Sequence, residues 1–150
     1  MNSNTRNSAL LTEIFIYILA ACLLVLDIGL WPLSGWYMKI RNMTGEGIRI
    51  TLVVILYACS ILGWFILWKM LRLIRNIRKG IVFTEQNVSI LRAVSLLCLG
   101  VGILTFAGGF FYQPLFFVTL AALFLTLVVR VVKNVMHKAV EMKDELDLTV

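Results

Sequence analysis

Charge is scarce in this chain: only 15% of its 150 residues are Asp, Glu, Lys or Arg, against roughly 25% in a typical soluble domain. It has one histidine, two prolines and three cysteines. Cys22, Cys59 and Cys98 each lie inside an apolar run, and no C-x-x-C spacing occurs. That excludes a disulfide framework and argues against a membrane thiol oxidoreductase, so the thiols read as small apolar side chains. His137 has no nearby Cys or Asp cluster suited to a metal, and one histidine cannot provide bis-histidine haem ligation. Walker, nucleophile-elbow and H-E-x-x-H patterns are missing too. Neither an enzyme nor a cofactor is expected.

What the chain has instead is apolar surface, with 61% hydrophobic residues. One domain of this length has no core large enough to hide it, so the solvent for most of the chain is a bilayer. A spanning helix needs about 20 mostly apolar residues. Residues 14–31 qualify with one interruption, Asp27, and residues 50–68 carry no charge. The uncharged run that follows is too long for one span. Gly108, Gly109 and Pro114 punctuate it, Pro114 suiting the first turn of a new helix. It divides into spans 93–111 and 115–132. The expected fold is all-α, a single domain of four transmembrane helices in an antiparallel bundle, with a loop at 69–92 and a tail at 133–150.

Orientation follows from the basic residues, eleven of which fall on the side of the two termini and the 69–92 loop, against three on the other side. The positive-inside rule then makes both termini cytoplasmic. Net charge of +6 suits contact with anionic lipid headgroups. Trp31, Trp36, Tyr37, Phe110 and Tyr112 at one boundary, and Tyr17, Trp64 and Trp68 toward the other, match interfacial aromatic belts. Leu19–Cys22 resembles a lipoprotein cleavage box, but the hydrophobic stretch after it and Glu13 before the apolar run argue against processing.

Asp27 is the one acidic residue inside a span. Such residues are costly and often functional. One reading is a proton or cation site, as in a small transporter or ion-coupled carrier. The other is a carboxylate paired with Lys39 or Arg49 of the following loop, or wetted at the interface. Small multidrug exporters also carry a helix-1 carboxylate, but with weak charge bias and almost no cytoplasmic tail. Small residues such as Cys59 and Gly63 permit close helix approach, within the chain or in a homo-oligomer.

The face carrying the basic residues is more informative. Leu67, Met70, Ile74, Ile77 and Ile81 recur at helical spacing, beside Lys69, Arg72, Arg75 and Arg78, which predicts an amphipathic extension of helix 2 ending near Gly80. Thr84 is a good N-cap for helix 3, with Phe83 and Val88 placed as a hydrophobic staple. Val132, Val135, Ala139, Met142 and Leu146 predict a similar extension of helix 4. The extensions of helices 2 and 4 run parallel, so Glu141, Asp144 and Glu145 are expected close to Arg75, Arg78 and Lys79, as a small cytoplasmic helix pair. The last five residues, LDLTV, alternate as a short strand does, but five residues fit a packed or frayed tail as well. The internal KDEL is not a retrieval signal, since residues follow it.

Two short motifs resemble a family of small bacterial four-helix membrane proteins classed as a domain of unknown function. The first is Gly80, Phe83, Asn87, Leu91 and Arg92, with Val82 where the family usually has proline. The second is the ending Asp147, Leu148, Thr149 and Val150, after acidic residues. Members are often encoded beside a Cro/repressor-type helix-turn-helix regulator. The resemblance implies a non-enzymatic membrane protein that holds such a regulator at its cytoplasmic face, with no direct contact to nucleic acid. Candidate contacts for a partner or lipid are Arg72, Arg75, Arg78, Lys79, Glu141, Asp144, Glu145 and Asp147.

Overall fold

The computed structural model describes residues 3–40 and 45–149, with side chains from residue 7 onward. Four helices account for nearly all of them: α1 (Ser3–Ile40), α2 (Glu46–Arg78), α3 (Glu85–Gly109) and α4 (Leu115–Leu148). No strand occurs among the described residues. Each helix is long and apolar enough to cross a membrane, and the chain is a multi-pass membrane protein with an antiparallel arrangement of its helices. Its accessible surface of 10249 Å² exceeds the roughly 7,700 Å² expected of a soluble monomer of 17.0 kDa. The excess is apolar, with Leu11, Ile28, Phe117 and Leu120 all more than 60% exposed.

The helices pack in chain order: α1 on α2, α2 on α3, and α3 on α4. α3 therefore separates α2 from α4. The main core cluster joins Leu73 of α2 to Ile90, Leu91, Val94 and Cys98 of α3, and Val129 and Met136 of α4 close over it. Polar residues inside the α3–α4 seam bond one another or the backbone, as apolar surroundings require. The Thr105 and Thr119 hydroxyls are 2.9 Å apart, and Ser95 Oγ donates to the Thr126 carbonyl.

Two turns explain the ordering of α2, α3 and α4. Gly80 follows α2 at φ +79°, a left-handed conformation that costs other residues about 1–2 kcal/mol. Thr84 then caps α3, its side chain accepting from the Asn87 N–H. At the other end Pro114 is the N-cap of α4 rather than its first helical residue. Gly108 and Gly109 let α4 approach closely, since a Cβ on Gly109 would lie 2.7 Å from Phe116 Cε1.

α1 departs from the expected span. It runs through Pro32 as far as Ile40, where the apolar pattern predicts an end at Trp31. The Trp31 carbonyl, just before the proline, accepts from Ser34 Oγ at 2.8 Å and from Arg49 Nη2 at 3.1 Å. The acceptor that Pro32 itself frees is the Ile28 carbonyl, four residues earlier, so the Arg49 bond ties α1 to α2 rather than repairing the helix at the proline.

Candidate functional site

The end of the molecule where α1 begins and α4 ends, with the 79–84 turn, also carries most of the basic residues; three groups of side chains organise it, and a fourth lies elsewhere. The first joins α1 to α2. Glu13, only 9% exposed, meets Arg75 Nε at 3.4 Å and Arg78 Nη1 at 2.6 Å. Arg75 Nη2 also donates to the Tyr17 hydroxyl at 2.7 Å. The charge pattern predicts that these arginines face Glu141, Asp144 and Glu145. They do not: no ion pair among the described residues joins α2 to α4. The reason is positional, because α3 stands between α2 and α4, leaving the arginines to turn toward α1. Arg72 and Lys79 stay exposed and border a shallow groove with Trp68 and Asn76.

The second group is the α2–α3 turn. Asn87 is completely buried. Its Nδ2 donates to the carbonyls of Ile81 and Val82, both at 2.8 Å, and its Oδ1 accepts from Asn76 Nδ2 at 2.8 Å. One amide thus ties the end of α2, the connecting turn and the start of α3 together. Gly80 supplies the positive φ, and Leu91 enters the core. Phe83 and Arg92 point outward. Val82, standing at the family's usual proline, serves through its carbonyl. Asn76 was not legible as a site residue, and its only signal is a polar, uncharged side chain amid arginines.

The third group holds α4. His137 lies between Glu85 of α3, at 3.4 Å from Nδ1, and Glu141 of its own helix, at 3.5 Å from Nε2. Beyond that point α4 outruns α3. Met142, Leu146 and Leu148 are 59%, 68% and 86% exposed, and Asp144, Glu145 and Asp147 make no ion pair among the described residues. The face of α4 turned to the core is Val129, Met136 and buried Val140. The stripe read from sequence, with Val132, Val135, Met142 and Leu146, is therefore mostly the free face. LDLTV is no strand: helix continues to Leu148, and Thr149 Oγ1 donates back to the Glu145 and Leu146 carbonyls. Val150 lies outside the described residues.

The fourth group lies far from these, around Asp27. Its Oδ2 accepts from Trp64 Nε1 at 3.0 Å, and its carbonyl accepts from the Tyr57 hydroxyl at 3.1 Å. The expected partners do not reach it. Arg49 is engaged by Ser34 and the Trp31 carbonyl, and its guanidinium lies 4.6 Å from the centre of the Trp31 ring. No three His, Cys, Asp or Glu side chains converge in a way that could hold a metal ion among the described residues.

No curated protein and no solved structure matches the chain. A family described as "Protein of unknown function (DUF2975)" matches residues 30–150, which contain both short motifs and all of α2, α3 and α4, while Glu13, Tyr17 and Asp27 precede the matched residues. With most of its length matched, the chain belongs to the DUF2975 family.

Proposed function

We propose that this protein is a non-enzymatic regulator in the plasma membrane of a bacterium, with both termini cytoplasmic, and that it binds a soluble protein partner through the end formed by α4 and the α2–α3 turn. The observation that carries this reading is the overhang of α4. Past Glu141 the helix presents Met142 and Leu146 to solvent beside Asp144, Glu145 and Asp147, which make no ion pair among the described residues. The exposed seam Val132, Val135, Met142 and Leu146 has the 3.5-residue repeat of a helix that packs against another helix. Two copies paired in parallel along it would set Lys138 against Lys143 of the neighbour, at flanking positions where like charges repel. The charge pattern thus favours a different partner over self-association. Arg72 and Lys79 face anionic headgroups, at about 1 kcal/mol each near the surface.

The class of partner comes from the family resemblance: a Cro/repressor-type helix-turn-helix regulator. The test is capture of that regulator from native membranes by tagged full-length protein, comparing wild type with Met142→Glu/Leu146→Glu at equal membrane abundance. Retention by wild type and loss from the variant supports the reading. Equal recovery by both, or no regulator with either, refutes it.

A further inference from the structure

α1 and α2 enclose a groove at the end of the molecule away from the basic residues, capped by Tyr112 and Leu115, with a cavity volume of about 460 Å³. That lies within the size range of small-molecule sites, which are mostly apolar with a few placed polar groups. Leu26, Leu30, Leu52 and Leu56 supply apolar wall. Two of the lining residues each carry a buried polar atom that no protein group bonds among the described residues: Asp27 Oδ1 on α1 and Ser60 Oγ on α2, the serine being 7% exposed.

We propose that this groove binds a small lipophilic amine, held as its ammonium by Asp27 with Ser60 as the second contact. An ionised carboxylate only accepts hydrogen bonds, and Trp64 serves just one of its oxygens. An ammonium supplies the donor that Oδ1 lacks and the countercharge a carboxylate needs at membrane depth. The leucine walls take the apolar body of the same molecule. Other occupants fit less well. An acyl chain fills the walls but offers no donor. An inorganic cation needs about six or more oxygens, and this lining is mostly leucine. An organic anion would meet Asp27, and the Arg49 donors that could balance it are turned to Ser34 and Trp31. This site is independent of the α4 overhang, and Asp27 lies outside the residues that match the family.

The experiment is isothermal titration of the full-length protein in nanodiscs of neutral lipid, with empty nanodiscs subtracted for partitioning. The probes are 4-phenylbutylamine and, separately, 4-phenylbutyrate and 4-phenylbutanol. The amine is expected to bind saturably at one site, and Asp27→Asn to weaken it about tenfold or more. Leu56→Trp, which fills the cavity and leaves Asp27 intact, is expected to abolish binding and decides the matter if Asp27→Asn does not fold. The proposal is overturned if the amine shows only partitioning, if Leu56→Trp or a folded Asp27→Asn binds it as wild type does, or if the acid or alcohol binds as tightly.

Discussion

Replacing Asn87 with alanine removes three side-chain hydrogen bonds at once, to Ile81, Val82 and Asn76, each 2.8 Å long. A net contribution of about 1 kcal/mol per bond sets the loss at roughly 3 kcal/mol. That figure is a floor, since any of the three partners that water does not reach adds its own desolvation cost. For a chain of this size the loss corresponds to a fall in melting temperature of roughly 6–12 °C, measurable by thermal denaturation in detergent. The sharper assay is a double-mutant cycle with Asn76→Ala. That variant deletes one of the same bonds, so the two changes should couple by about 1 kcal/mol. Additivity to within about 0.5 kcal/mol would mean the Asn76–Asn87 bond does not form. A shift of under about 2 °C for Asn87→Ala alone would remove the turn clamp from the account altogether.

Three further outcomes follow from neighbouring geometry. Gly80→Ala, at φ +79°, should cost about 1–2 kcal/mol by the same melt, and a neutral result would contradict the left-handed turn. Gly109→Ala puts a methyl 2.7 Å from the Phe116 ring and should destabilise by about 1–3 kcal/mol, with wild-type stability the refuting result. Glu13→Gln should change stability by less than about 1 kcal/mol, since Arg75 and Arg78 are half exposed. It should nevertheless broaden the distance between spin labels at residues 10 and 79, and an unchanged distribution would show that Glu13 does not hold α1 in register.

Features with a local cause were legible in the sequence. Gly80, Thr84 and Pro114 act within a few residues of where they stand, so the turns and the long amphipathic extension of α2 followed from composition and spacing. Pairings across helices were not legible in the same way. Glu13 and Arg78 are 65 residues apart, and opposite charge alone matched the arginines equally well to the acids of α4. Only the chain-order packing of the helices decides between them. The stripe on α4 had a similar ambiguity, because Val129, Met136 and Val140 form a second apolar row beside the one first read. Either row satisfies a helical repeat, and the angle at which α4 meets α3 selects which is buried. For Asp27 the obvious partners were cations, yet Trp64, two turns further along α2 than Tyr57, presents the N–H that reaches it.

The two halves of the molecule are joined by different chemistry, and the bilayer explains why that matters. Lipid tails are as apolar as leucine, so apolar contact alone gives a helix little reason to prefer a neighbouring helix over lipid. α3 and α4 answer this with close approach, through Gly102, Gly108 and Gly109, and with hydroxyl bonds in their seam. The α1–α2 side is looser: a Cβ added at Gly29 meets nothing within 4 Å, one at Gly63 meets Leu23 Cδ2 at 3.5 Å, and the tightest, at Gly35, meets the Arg49 guanidinium at 3.2 Å. α1 is held to α2 by polar contacts at three levels, Glu13 and Tyr17 at one end, Asp27 midway and Ser34 with the Trp31 carbonyl beyond. A change at any one level acts on the α1–α2 interface with little purchase on the α3–α4 pair. The groove beside Asp27 and the Glu13 contact therefore report on the same interface at two of its levels. An occupant that spreads α1 from α2 near Asp27 should loosen the Glu13–Arg78 pair without unfolding the core, which the spin-label distance measured with and without 4-phenylbutylamine would detect.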